Sequence, residues 1–192
     1  MKIAIHESEC QVLLERIAAG DAKALEDFYY RYSPGFGAFL LKMLGHHEWV
    51  DEAVNEFMFT IWQSAGRYDP AKGKLSTWLF GIAHNKGLKI LERHGRYREE
   101  SWDESHFETE YPDVASDSVA DGIAMGSHAE PEKIVSGWQL GEAISWAFMK
   151  LSVDHRTVMD LCFNADLTYQ EIADITGCPI NTVKTRLFYA RK

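Results

Sequence analysis

Between Glu99 and Glu132 the chain carries 11 carboxylates and no Lys or Arg. Such a run repels itself, and with its scattered Ser, Gly and Pro and no helical or alternating period it cannot be folded into a core. It therefore divides the chain into two small units, residues 1–98 and 136–192, joined by an acidic tether over 99–135. Fully extended, the acidic run reaches on the order of 110 Å. It also explains the net charge of -9, from 20 basic and 29 acidic residues. Without those 11 carboxylates the remainder has 20 basic against 18 acidic residues, +2, so a nucleic-acid partner is not excluded. The tether itself has two readings: a solvated spacer, or a polyanion that mimics nucleic acid inside a partner's basic channel.

Other classes are less compatible with the sequence. The richest apolar stretch, Gly35 to Gly45, is interrupted by Lys42, so no membrane insertion is expected. Residues 1–10 include Lys2, Glu7 and Glu9 and lack the apolar segment of an export signal, which points to the cytoplasm. Cys10, Cys162 and Cys178 are too far apart for a CxxC pair and odd in number. His46-His47-Glu48 could be weighed as metal ligands of an enzyme, but adjacent histidines leave a helix on different sides and no HExxH occurs. No catalytic residue, metal or cofactor is expected.

The first block reads as four or five helices. One holds Val12, Leu13, Arg16 and Ile17 and closes at Gly20; Asp21 caps the next, which runs to Pro34, and a third covers Phe36 to Leu44. Trp49, Ala53, Phe57 and Ile61 then form a core stripe, leaving Asp51, Glu52, Asn55, Glu56 and Gln63 on other faces. That acidic side is either solvated or a partner surface. Turn formers from Gly66 to Lys74 impose a loop, and Ser76 is the expected cap of a helix whose inner face is Leu79, Ile82, Ala83, Gly87 and Ile90. Lys86, Lys89, Arg93 and Arg96 share another stripe, which with Tyr68, Trp78 and Asn85 suits phosphate neutralisation and base stacking, or is simply a solvated face.

In the second block, helices are expected near Ser136 and from an Asp154 cap, with Val158, Leu161 and Cys162 inward. Thr168-Tyr169-Gln170-Glu171 matches the capping box, and the helix holding Ile172, Ala173 and Ile175 ends at Gly177-Cys178-Pro179. Val183, Leu187 and Ala190 then form the packed face of a last, polar and basic helix. A small residue, a glycine turn and such a helix follow the pattern of a helix-turn-helix. The expected fold is all-α, two small helical domains on a long acidic linker, the second a helix-turn-helix.

These residues resemble the sigma-70 family of bacterial RNA polymerase sigma factors, in particular the extracytoplasmic-function group that keeps only regions two and four. The carrying segments are Asp51 to Phe57, Arg67 to Pro70, Gly73 to Leu79, Ile82 to Asn85, Leu167 to Ala173 and Thr182 to Leu187. The resemblance implies a factor that binds core polymerase, recognises -10 and -35 promoter elements and promotes melting. Glu52, Asn55 and Glu56 occupy positions that dock on the clamp helices of the largest polymerase subunit. Tyr68, Asp69, Lys72 and Lys74 fall in or beside a loop that captures a flipped base of the -10 element, and Trp78, Asn85, Lys86, Lys89 and Arg93 lie where the melting strand is contacted. For the -35 element the expected set is Asn181, Thr182, Lys184, Thr185, Arg186, Phe188 and Tyr189, with Arg191 on phosphate. Tyr189 departs from the basic residue of many relatives. Relatives also carry this helix a turn or more past the position of Lys192. An anti-sigma factor is an implied partner, and in the family the linker threads toward the polymerase active-site and RNA-exit channel.

The competing reading is a conventional dimeric helix-turn-helix regulator with an N-terminal sensing domain. It requires a self-complementary interface and a palindromic site, whereas residues 67–96 suggest a second DNA surface.

Overall fold

The computed structural model describes residues 5–94, 147, 148 and 150–192, and among these it is helical with no strand. In the N-terminal module α1 spans Glu7–Ala18, α2 Ala22–Leu44, α3 His47–Ser64 and α4 Leu75–Arg93, with a short 3-10 turn at Ala65–Arg67. The C-terminal module has α5, Val153–Phe163, α6, Tyr169–Thr176, and α7, Ile180–Ala190. The expected tether and the helix expected near Ser136 lie outside the described residues.

The N-terminal core is aromatic. Phe36 sits 4.6 Å from Phe57 and 5.0 Å from Phe80, and Phe39 stands edge-on to Phe80 at 5.4 Å, so α2, α3 and α4 meet through rings. These side chains are fully buried, each contributing about 1.5–3 kcal/mol of apolar transfer. The core also corrects the expected break at Pro34, because α2 runs straight through it. An interior proline costs about 3 kcal/mol. Phe28, Tyr32, Phe36, Phe39, Leu40 and Met43 form one buried stripe along α2, and their combined burial outweighs that cost.

Two helix starts also differ from expectation. α4 begins at Leu75, not after a Ser76 cap, and the Glu7 carboxylate of α1 accepts the N–H groups of Leu75 and Ser76, each at 3.0 Å. A side chain distant in sequence thus satisfies two orphan donors that local residues would otherwise have to meet. α5 is capped by Ser152, whose hydroxyl accepts the His155 N–H, leaving Asp154 inside the first turn. The Asp21 cap forms as expected, accepting from Lys23 and Ala24. So does the Thr168–Glu171 capping box, and Gly177 ends α6 at φ 67, a left-handed conformation that a side chain would strain.

Ile172, Ala173, Val183 and Leu187, with Val158 and Leu161 of α5, make the C-terminal core. The two modules do not stand apart: α5 packs on α2, and α6 on α4. Lys42 pairs with Asp160, Arg156 donates to the Met43 carbonyl at 3.3 Å, and Lys74 pairs with Glu171 at 2.9 Å.

Candidate functional site

On α3 the acidic side is not simply solvated. Glu56 lies between two cations of α4, Lys86 Nζ at 3.3 Å and Arg93 Nη2 at 3.1 Å, while Arg93 also holds Glu52. The Arg93 guanidinium in the first place, with Lys86, keeps the Glu56 carboxyl below its ordinary range despite partial desolvation. Asn55 and Asp51 remain exposed. Two of the three expected polymerase-binding residues, Glu52 and Glu56, are thus tied to two expected DNA-binding residues, and the cationic stripe on α4 splits. Lys86 and Arg93 are neutralised by α3, whereas Asn85 and Lys89 point to solvent. Arg96 lies outside the described residues.

The loop before α4 is shaped by its own side chains. Asp69 Oδ1 accepts the Ala71 N–H at 3.0 Å and its carbonyl accepts the Lys72 N–H, the pattern of an Asx turn followed by a tight bend. Tyr68 donates its hydroxyl proton to the Gly73 carbonyl at 3.2 Å and its ring lies 5.6 Å from Trp78, so the two aromatics brace the loop ends. Both rings are half-buried. Lys72 is exposed, and Lys74 reaches across to Glu171. Burial alone would raise the Glu171 carboxyl, but the Thr168 N–H, Lys74 and the Thr168 hydroxyl together bring it below the usual value.

Along α7, Asn181, Lys184, Phe188 and Arg191 are exposed, and Thr182, Thr185 and Tyr189 half-buried. Thr185 donates to the Asn181 carbonyl at 2.9 Å. Arg186 was expected outside and is not: its guanidinium turns inward to Asp154 at 2.7 Å and lies near Cys178 Sγ. With side chains only 13% and 17% exposed, Arg186 and Asp154 join α7 to α5. Arg191 lies over the Phe163 ring at 5.1 Å.

The charge and capping patterns did not single out an apolar surface on the α2–α3 hairpin, where Phe59 is 60% and Trp62 37% exposed beside Ala22, Leu25 and Met58. The available signal was positional: Phe59 and Trp62 fall off the Ala53–Phe57–Ile61 core stripe and one to two turns beyond Asn55. At the other end of α3, His46 packs 4.3 Å from Trp49, which stacks on His94. Among the described residues no group of three His, Cys, Asp or Glu could hold a metal ion, and no helix is long and apolar enough to cross a membrane.

Two family models match: sigma-70 region 2 over residues 28–97 and sigma-70 region 4 over 142–192. Among curated relatives, the ECF RNA polymerase sigma-E factor of Salmonella typhimurium is 28% identical over 182 residues, covering 95% of this chain and 90% of that protein. The ECF RNA polymerase sigma factor RpoE of Cereibacter sphaeroides is 24% identical over 169 residues, 87% of this chain and 82% of its own. The fold resembles that of CnrH solved with the cytosolic domain of CnrY, at TM-score 0.58 and 17% identity, covering 94% and 91% of the two chains. It also resembles RpoE of Bartonella quintana solved with the anti-sigma factor NepR, at TM-score 0.58, 20% identity and 88% and 93% coverage.

Proposed function

Because the chain belongs to the sigma-70 family, in its extracytoplasmic-function group, we propose that it binds core RNA polymerase, recognises -10 and -35 elements through two separate modules and opens the promoter between them. Residues 1–98 serve polymerase and the -10 element, 136–192 read the -35 element, and 99–135 join them. The observation that carries this reading is the presence of two unlike polar and cationic surfaces on one chain. Asn85 and Lys89 lie exposed on α4 and Lys72 on the loop before it, and Asn181, Lys184 and Arg191 lie exposed on α7.

Members of this family are transcription initiation factors, and opening DNA requires no bond to be made or broken by the protein. Unstacking and unpairing a base costs a few kcal/mol, and a pocket that takes only the extruded base returns a comparable amount. Lys72 and Lys89 supply phosphate neutralisation, Trp78 a stacking edge, and the braced 69–74 loop a preformed cradle. On the polymerase side, Asn55 with the Glu52 and Glu56 carboxylates meets the clamp helices. In the second module Asn181, Lys184 and Phe188 reach base edges in the major groove and Arg191 takes a phosphate, while Arg186 holds the recognition helix in place through Asp154. RpoE of Bartonella quintana, whose fold this chain shares, was solved in complex with the anti-sigma factor NepR, and we assign this chain the same kind of regulator and a cytoplasmic site of action.

Run-off transcription with sigma-free core polymerase on a promoter library tests this directly. Transcripts from templates sharing two dissimilar elements, with a footprint that needs polymerase, are expected. A footprint on a palindrome without polymerase would instead establish a conventional dimeric regulator.

A further inference from the structure

We propose that Glu7, on the first turn of α1, is a positioning residue for promoter opening: by capping α4 from a distance it holds the 69–74 loop in the shape that receives an extruded base. The proposal rests on the reading of that loop as the base cradle of the -10 element.

The start of α4 has no side-chain acceptor of its own. Its N-cap is Lys74, which carries donors only and makes no capping bond, and Gly73 before it has no side chain. The first N–H groups of a helix still need partners. Glu7, 68 residues before Leu75, meets two of them with its two oxygens: Oε2 accepts from Leu75 and Oε1 from Ser76, each at 3.0 Å. Asp, Ser or Thr at position 74 would cap the helix locally, but only by removing a cation from the edge of the loop. With the cap supplied by α1, that position is left to Lys74.

α1 also meets the other end of the loop. It packs on the 3-10 turn Ala65–Arg67, from which the loop departs, and on α4, to which it returns. A Cβ on Gly66 would stand 3.8 Å from the Ala18 Cβ, so the far end of α1 lies against that turn. This helix of 12 residues, about 18 Å long, is therefore a splint across both loop ends. The Glu7 charge reaches Tyr68 as well. Burial first, and then Glu7, push the Tyr68 phenol up, and both favour the protonated form that donates to the Gly73 carbonyl at 3.2 Å. A carboxylate this near a nucleic-acid surface repels phosphate, so what Glu7 contributes is the geometry of the loop and not a contact to DNA. Without it the receptive shape is one of several. Base capture then falls with the population of that shape, about tenfold if it is held one tenth of the time.

Holoenzyme is assembled from core polymerase and the full chain on a promoter taken from the run-off library, with 2-aminopurine replacing the adenines of the -10 element one at a time. Fluorescence rises as a base leaves the stack and so reports capture. Glu7→Met keeps the length of the side chain without an oxygen acceptor, and Glu7→Gln keeps one acceptor. Glu7→Met is expected to lower the fluorescence rise about tenfold. Its affinity for core polymerase, and that of its holoenzyme for a duplex carrying the -35 element alone, should be unchanged. Glu7→Gln should recover most of the signal, and amide hydrogen exchange over residues 74–79 of the full chain should be faster in Glu7→Met than in either other protein. The proposal is overturned if Glu7→Met captures the base as well as the unsubstituted chain, leaves exchange over 74–79 unchanged, or loses polymerase and -35 affinity in the same proportion. Failure of Glu7→Met to reach the unsubstituted helix content by circular dichroism would make Glu7 a folding residue and overturn it too, as would a Glu7→Gln protein as deficient as Glu7→Met. If the unsubstituted holoenzyme transcribes but no -10 position fluoresces, it is the base-cradle reading of the loop that fails, and the role of Glu7 with it.

Discussion

Gly81 and Gly87 lie on the same helix, α4, and replacing each with alanine should move stability in opposite directions. In an unobstructed helix interior the change gains about 1 kcal/mol, since glycine loses more backbone entropy on folding. A Cβ at Gly81 meets nothing within 4 Å, so Gly81→Ala should realise that gain. A Cβ at Gly87 would lie 2.6 Å from Met43 Sδ, 3.1 Å from its Cε and 3.4 Å from Leu40 Cδ2. Met43 is 1% exposed and Leu40 fully buried, so neither can swing into solvent, and overpacking of this kind costs about 1–3 kcal/mol. The net for Gly87→Ala is a loss of about 1 kcal/mol, a gap of about 2 kcal/mol between the two variants. For a module of this size 1 kcal/mol moves Tm by roughly 4–8 °C, so thermal melts and urea midpoints separate the two readily. Should Gly87→Ala melt at or above Gly81→Ala, Met43 must relax without cost, and the claim that α2 and α4 are close-packed there is wrong.

Thr168→Ala removes the hydroxyl that caps α6 and is expected to cost about 1 kcal/mol, read as a lower urea midpoint of the C-terminal module. Burial first, and then the nearby Arg186 charge, push the His84 imidazole down to about 4 from 6.5. It is therefore neutral in the fold while the unfolded chain takes up a proton below 6.5. Stability is complete above that pH and falls progressively toward pH 4, by up to about 3 kcal/mol, and His84→Gln should flatten this dependence in urea titrations across the window. Trp62→Ala, at an exposed apolar surface continuous with Asn55 on α3, should weaken binding to core polymerase by about tenfold or more with no loss of thermal stability, measured by competition for a labelled sigma factor. Equal polymerase affinity would exclude that surface from the interface.

Much of the architecture was legible in local pattern. The Asp21 cap, the Thr168–Glu171 box, the Gly177 turn and the Ala53–Phe57–Ile61 stripe each follow from residues within a few positions of one another, so spacing alone reveals them. Pro34 misled because proline's local cost is visible in sequence, whereas the burial of the α2 stripe that overrides it depends on α3 and α4. The Ser76 cap misled for a similar reason, while the Asp154 cap was displaced by a residue two positions earlier. For α4 the acceptor was Glu7, distant in sequence, whereas for α5 the helix starts earlier than expected and the neighbouring Ser152 caps it.

The amino-acid order by itself determined that there would be two small helical units, where most of their helices turn, and which residue types stand ready for phosphate and base edges. Only the packed molecule decided which of those charges are available. Glu52 and Glu56 are held by Arg93 and Lys86, Arg186 by Asp154 and Lys74 by Glu171, while Lys89 and Lys184 stay in water. The physical reason is that an ion pair depends on distance in space, and these partners, 30 residues apart or more, have no local periodicity that records their approach.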